Sequence, residues 1–285
     1  MKKVGQFFQC IAPFLCALCI QIVVSFLALT IVIFNRSMKL ADEGPIDPNA
    51  IANGLEEVLS SEVVLAISIL TAVICMLVFG LWYRHSSRKY GSEGRKVKFT
   101  LKSILYMVLL AVGLQFGLSM LLNAVAMIKP DWFDTYGDIM EQLGMGNSIL
   151  SLVYIALIAP ISEELIFRGV ILGYGKRFLP MAAANLLQAL LFGIYHMNLV
   201  QGIYAFVLGM ILGAVRISFN TLYASVLLHM FINVSGIFLN LVLTEEMLQI
   251  PFAMIAIAVL SLGAVIVSLR YLAGKADKDT VEEDF

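Results

Sequence analysis

The hydrophobic residues of this 285-residue chain fall into eight long runs, which short polar segments separate. A helix needs about 20 predominantly apolar residues to cross the hydrocarbon core of a bilayer. The runs therefore predict eight transmembrane helices, of which the fifth and sixth are short. The predicted limits are Phe7–Phe34, Val63–Tyr83, Ser103–Ile128, Ser148–Gly173, Met181–Met197, Val200–Val215, Thr221–Leu243 and Pro251–Leu272.

The composition agrees with this pattern. Hydrophobic residues make up 60% of the chain and charged residues 14%, whereas soluble domains carry about 25% charged residues. The sequence thus predicts an all-α, polytopic membrane protein in which the bilayer is the main partner. The net charge of -1 gives no indication of binding to nucleic acid.

The polar segments also predict an orientation. The segment from Arg84 to Lys102 is strongly basic, whereas the segments after the first and third runs are mainly acidic. Lys and Arg are retained on the cytoplasmic side of a membrane. We therefore expect both termini to be cytoplasmic in a multi-pass protein of a bacterial-type plasma membrane.

Nothing in the pattern indicates a second folded domain or an internal repeat. We divide the chain into residues 1–147 with the first three helices, 148–243 with helices four to seven, 244–273 with the last helix, and 274–285. The last part is a polar tail that we expect to be disordered.

Three charged residues interrupt the fourth run. Each of Glu163, Glu164 and Arg168 would cost about 2.5 to 3.5 kcal/mol at the centre of a lipid-facing helix, so they must face protein or water. Glu164 and Arg168 are four residues apart and share a helix face, while Glu163 is rotated by about 100°. The spacing predicts that Glu164 pairs with Arg168 and that Glu163 is free to accept a proton.

Proline and glycine residues in the apolar runs predict local features of the helices. Pro160 has no amide donor and would leave the carbonyl of Ala156 free, so we expect a kink or a polar partner there. Three GxxxG steps predict close helix packing without a chemical role. They are Gly113/Gly117, Gly169/Gly173 and Gly209/Gly213.

Polar residues form stripes on the fifth and seventh runs. With helical spacing, they predict two polar faces that point into the protein. The stripes comprise Asn185, Gln188, Phe192 and His196, and Ser225, His229, Asn233, Gly236 and Asn240. At 1.5 Å per residue, the two histidines would differ in depth by about 10 Å, which helix tilt or the short fifth run must absorb.

Together these residues resemble the intramembrane proteases of the CPBP family, which includes the CAAX prenyl endopeptidases and the Abi-type proteins. Three family motifs, EExxxR, FxxxH and HxxxN/D, occur in order on three different predicted helices. They are Glu163-Glu164-xxx-Arg168, Phe192-xxx-His196 and His229-xxx-Asn233.

The resemblance implies an endopeptidase with a water-filled cavity in the membrane, and makes residues 148–243 its catalytic core. It implies that Glu163 activates a water with help from His196, and that His229 and Asn233 stabilise the oxyanion. The substrates would be membrane-associated peptides or proteins. The supporting residues would be Glu164, Arg168 and Phe192.

We expect no cofactor. Glu163, His196 and His229 would be a reasonable set of ligands for zinc, but the chain has no HExxH motif, and we favour hydrolysis without a metal. Phe192 is interpreted as a packing residue. The sequence does not indicate which substrate is cleaved or whether it is prenylated.

Other functions are compatible with the same pattern. The scaffold could bind and shield a membrane partner without cleaving it, as an immunity protein would. Acids and histidines inside a membrane could also relay protons or ions in a transporter, although no inverted repeat is evident. A haem protein with His196 and His229 as axial ligands is a further alternative.

Overall fold

The computed structural model describes residues 2–42, 60–90, 97–133, 148–242 and 250–281. These residues form eight helices and no strand, which confirms the all-α fold. The helices are α1 (Lys2–Asp42), α2 (Ser61–Tyr90), α3 (Leu101–Ile128), α4 (Ile149–Phe178), α5 (Met181–Tyr195), α6 (Leu199–Phe219), α7 (Leu222–Val242) and α8 (Pro251–Val281).

Within the described residues, seven helices are long and apolar enough to span a membrane. The exception is α5, which has only 15 residues, so the fifth predicted span is a short apolar helix. The prediction of a short sixth span is wrong, because α6 has 21 residues. The predicted span ends at Val215, before the charge of Arg216, but Arg216 is only 2% exposed and the helix continues past it inside the protein.

The carboxyl-terminal segment also differs from the expectation. The last helix runs to Val281, so most of the predicted disordered tail is helical. The sequence AGKADKD after Leu272 contains several good helix formers, and α8 already supplies the nucleus they extend. Some of the charged segments that predict the orientation lie at 43–59, 91–96, 134–147 and 243–249, outside the described residues, and the described helices do not by themselves show which end faces the cytoplasm. The orientation therefore stays a prediction.

The fourth helix occupies the centre of the bundle. It contacts α1, α2, α5 and α7, while α3 packs mainly on α8 and α7. One apolar cluster joins α1, α2, α4 and α5, and another joins α3, α6, α7 and α8. Large apolar side chains such as Phe26, Leu81, Leu105 and Phe252 are exposed on the outside, as expected of a surface that faces lipid. The charged residues of α4 are thus held inside the protein.

The GxxxG steps fit the packing interpretation only in part. On α6, Gly209 and Gly213 lie directly against α5, and a Cβ atom at position 213 would overlap the side chain of Asn185. The step on α3 faces α8 in the same way. On α4, Gly169 contacts α2, but a Cβ atom at Gly173 would meet nothing within 4 Å.

Candidate active site

The central helix changes its hydrogen-bond register around the acid pair. Two π-helical stretches, Tyr154–Ile158 and Leu165–Ile171, flank the α-helical segment Ala159–Glu164. In a π-helix each amide bonds to the carbonyl five residues back, and such turns are frequent at functional sites. The two acids therefore lie at the end of a short α-helical segment between two π-helical stretches.

Pro160 explains part of this geometry. In the π register its missing amide would have bonded to the carbonyl of Ile155, and the side chain of Asn233 on α7 donates to that carbonyl instead, with Nδ2 at 2.8 Å. The expected polar partner is therefore present, but at Ile155 rather than Ala156. The expectation assumed α-helical bonding to the fourth residue back, whereas the preceding turn bonds to the fifth.

Glu164 forms the ion pair that the spacing predicts. Its Oε1 atom accepts a hydrogen bond from Arg168 Nη1 at 2.8 Å, and both side chains are fully buried. The same oxygen lies 2.9 Å from His229 Nδ1. Because a carboxylate only accepts hydrogen bonds, His229 carries its proton on Nδ1 and donates it to Glu164. This contact fixes the direction of the imidazole ring.

Glu163 has a different environment. Its side chain is 20% exposed, and its Oε2 atom lies 3.7 Å from His229 Nε2, which is too long for a direct hydrogen bond. The carboxylate lines a cavity of about 120 Å³ together with polar residues of α1 and α2 and with Tyr195 of α5. Glu163 thus borders the cavity and also lies close to His229.

Phe192 lies between the charged groups. The guanidinium carbon of Arg168 is 4.4 Å from the centre of its ring. The rings of His196 and His229 approach it edge to face, with centroids 4.8 Å and 5.9 Å away. Both histidines thus adjoin one aromatic ring.

His196 is less closely connected to the acids. It follows the last residue of α5, and its Nδ1 atom lies 2.8 Å from the carbonyl oxygen of Phe192. Within the described residues its side-chain contacts are with Phe192 and Tyr195, and no hydrogen bond joins it to Glu163. Because a carbonyl only accepts, Nδ1 is the donor, which leaves Nε2 of a neutral ring as an acceptor.

The possible metal ligands do not form a set. Among the described residues no three His, Cys, Asp or Glu side chains are placed to hold a metal ion. Glu163, His196 and His229 therefore do not fit a metal in this arrangement.

The other polar residues of the α5 stripe hold the helices together. Gln188 Nε2 donates to the carbonyl of Gly209 on α6 at 2.9 Å, and Asn185 Nδ2 donates to that of Met210 at 3.0 Å. Arg168 Nη2 lies 3.4 Å from the same Gly209 oxygen. This network ties the buried arginine to α5 and α6, so the stripe is partly a structural feature.

Four polar residues that complete the cavity are not among the site residues predicted from the sequence. Gln21 and Ser25 of α1 and Ser68 and Thr71 of α2 line it beside Glu163. Their spacing was a readable signal, since each pair is three or four residues apart and shares a helix face. Each helix has only two such residues and no charged residue beside them, so the signal is weak.

The fold and the site define a class of protein: a polytopic membrane protein with a buried ion pair, an oriented histidine and a second carboxylate on an internal cavity. Comparison with known families is consistent with this class. Residues 145–235 match the family described as Type II CAAX prenyl endopeptidase Rce1-like. The chain therefore carries an Rce1-like domain, and the resemblance to the CPBP proteases is confirmed.

The matched segment contains all three motifs and nearly coincides with the core predicted at 148–243. Residues 3–128 match a separate family, described only as a domain of unknown function, DUF8762. No curated protein and no solved structure matches the chain. The amino-terminal helices thus lie outside the protease-like segment, although they contribute to its cavity.

Proposed function

We propose that the protein is an intramembrane endopeptidase that hydrolyses peptide bonds of membrane-associated peptides or proteins, in a bacterial-type plasma membrane. The observation that carries the proposal is the position of Glu163. Its carboxylate lines a polar cavity and lies 3.7 Å from the Nε2 atom of a histidine whose other nitrogen is held by Glu164. Peptide hydrolysis requires a base beside a water and hydrogen-bond donors where negative charge develops.

Glu163 is proposed as the general base. It would bind a water in the cavity, take one of its protons and direct the resulting hydroxide at the carbonyl carbon of the peptide bond. The proton would then pass to the leaving amine as the bond breaks. His196 is proposed to support this step, since the Nε2 atom of a neutral ring can accept a hydrogen bond from a water.

His229 is proposed to stabilise the oxyanion. Its Nδ1 atom is held by Glu164 at 2.9 Å, and its Nε2 atom lies on the side of Glu163. With a proton on Nε2, the ring would donate a hydrogen bond to the oxygen of the tetrahedral intermediate.

Asn233 is proposed to assist from α7. One hydrogen of its amide is used by the carbonyl of Ile155, and the second remains as a donor for the oxyanion. This arrangement gives Asn233 a structural and a chemical task at once. Glu164, Arg168 and Phe192 act through the groups that they position.

The test is cleavage by the full-length protein, purified in detergent, of a library of short synthetic peptides read by mass spectrometry. The variant Glu163→Gln should lower kcat/KM by at least about 100-fold, the lower limit for loss of general-base catalysis. Glu62→Gln is the matched control, because Glu62 is an exposed acid in the first turn of α2. Cleavage by Glu163→Gln at the wild-type rate would refute the assignment.

A chelator titration in the same assay tests the absence of a metal. The proposed mechanism predicts unchanged kcat/KM after chelation. Loss of activity that zinc restores would contradict it. If the wild-type protein cleaves none of the peptides but binds them, the interpretation as a non-enzymatic binding protein is favoured.

A further inference from the structure

The cavity beside Glu163 is built to a large extent by helices outside the protease-like segment. Gln21 comes from α1, and Ser68 and Thr71 come from α2. These helices belong to the part of the chain that matches the domain of unknown function. A wall made of polar side chains is unusual between membrane helices unless the polar atoms have partners.

Two polar atoms of these side chains have no hydrogen-bond partner among the described residues. The Thr71 Oγ1 atom is buried and makes no hydrogen bond, although Thr71 is only 8% exposed. The Oε1 atom of Gln21 is buried and unbonded in the same way. The great majority of buried polar side-chain atoms are hydrogen-bonded, and each exception calls for an explanation. Both atoms lie on residues that line one cavity, so a polar group that enters the cavity can bond to them.

The size and chemistry of the cavity restrict that group. Its volume of about 120 Å³ accommodates a peptide group or a small polar side chain. The Gln21 oxygen requires a donor, and the Thr71 hydroxyl can donate or accept. A peptide or amide group offers both functions.

We propose that Gln21, Ser68 and Thr71 form a subsite that binds a small hydrogen-bonding residue of the substrate next to the bond cleaved at Glu163. The amino-terminal helices would then select the substrate while the Rce1-like segment supplies the chemistry. This inference rests on the proposed endopeptidase function. Ser68 takes part as an acceptor, because its own proton is donated to the carbonyl of Val64 at 2.8 Å.

The substitution Thr71→Val removes the hydroxyl and nearly preserves the shape. For peptides with a small polar residue beside the cleaved bond, kcat/KM should fall about tenfold, which corresponds to about 1.4 kcal/mol, and preference should shift to apolar residues at that position. Thermal stability should not fall, because the hydroxyl has no bond to lose. Thr30→Val is the matched control, since Thr30 is exposed on α1 and bonded only to the carbonyl of Phe26. An unchanged cleavage profile for Thr71→Val would overturn the proposal.

A second measurement does not depend on catalysis. Thr71→Cys is combined with Glu163→Gln in a background whose four cysteines are replaced by alanine, and is labelled with a small charged methanethiosulfonate. The same peptide library should slow labelling at position 71 but not at Thr30→Cys. Protection of position 71 without cleavage by the wild type would refute the endopeptidase function and support the subsite. Cleavage by the wild type without protection would refute the subsite and support the function. If neither protection nor cleavage is observed, both are refuted.

Discussion

Removing the charge of Glu164 should destabilise the protein strongly, whereas the same change at Glu163 should not. In Glu164→Gln the side-chain oxygen remains, so the donors at 2.8 Å on Arg168 and at 2.9 Å on His229 can still bond to it. What is lost is the negative charge beside a fully buried guanidinium. Breaking a buried ion pair on one side costs about 3 to 5 kcal/mol.

Glu163 differs in each of these respects. Its side chain is 20% exposed and its contact with His229 is 3.7 Å long, so Glu163→Gln leaves no cation without a direct partner. We expect a loss below about 1 kcal/mol, the range of exposed ion pairs. This variant should nevertheless lose the cleavage activity. The two adjacent acids would then be separated into one that holds the fold and one that performs the reaction.

The free energy of unfolding can be measured in mixed detergent micelles by tryptophan fluorescence. Trp82 is a useful reporter, because its indole nitrogen donates to the hydroxyl of Tyr174 at 3.1 Å and so joins α2 to α4. The double variant Glu164→Gln/Arg168→Gln is the control and should be more stable than Glu164→Gln alone, since it leaves no unpaired guanidinium. Equal unfolding free energies for Glu163→Gln and Glu164→Gln would refute the reasoning.

Three further predictions concern the surroundings of the site. Gly213→Ala should lower thermal stability markedly, because the new Cβ atom would overlap a side chain of α5. Gly173→Ala should be neutral or slightly stabilising, since a Cβ atom there meets nothing within 4 Å. Equal melting temperatures for the two variants would contradict this. Asn233→Leu leaves a buried carbonyl unpaired and should cost about 1 to 3 kcal/mol; adding Pro160→Ala restores an amide and should recover part of the loss in a double-mutant cycle. Phe192→Leu removes the ring beneath a guanidinium and should cost about 2 kcal/mol in unfolding free energy, and unchanged stability would show that the ring contacts are not stabilising.

Much of the fold could be predicted from hydrophobic periodicity, because lipid imposes a strict length and an apolar surface on each helix. The errors occur where that constraint is absent. At Arg216 a charge was interpreted as the end of a span, but the side chain is buried within the protein. In the last segment, polarity was interpreted as disorder, although polar residues extend an existing helix at little cost.

The site was predictable to the extent that its contacts are local. Glu164 and Arg168 are one turn apart, so their pairing follows from helix geometry alone. The contact between His229 and Glu164 spans 65 positions, and only packing brings these residues together. The π-helical bonding before Pro160 also depends on tertiary structure, since Asn233 on α7 supplies the partner that makes it tolerable.

Adjacent acids on one helix can serve different purposes only if their surroundings differ, and the bundle provides that difference. A rotation of about 100° between neighbouring residues directs Glu164 towards Arg168 and α7, and Glu163 towards the cavity that α1 and α2 complete. Because Glu164 holds His229 by Nδ1, the Nε2 atom of that ring is directed at Glu163. Glu164 therefore orients the histidine that lies beside Glu163, and the helices outside the protease-like segment supply part of the wall of the cavity that Glu163 lines.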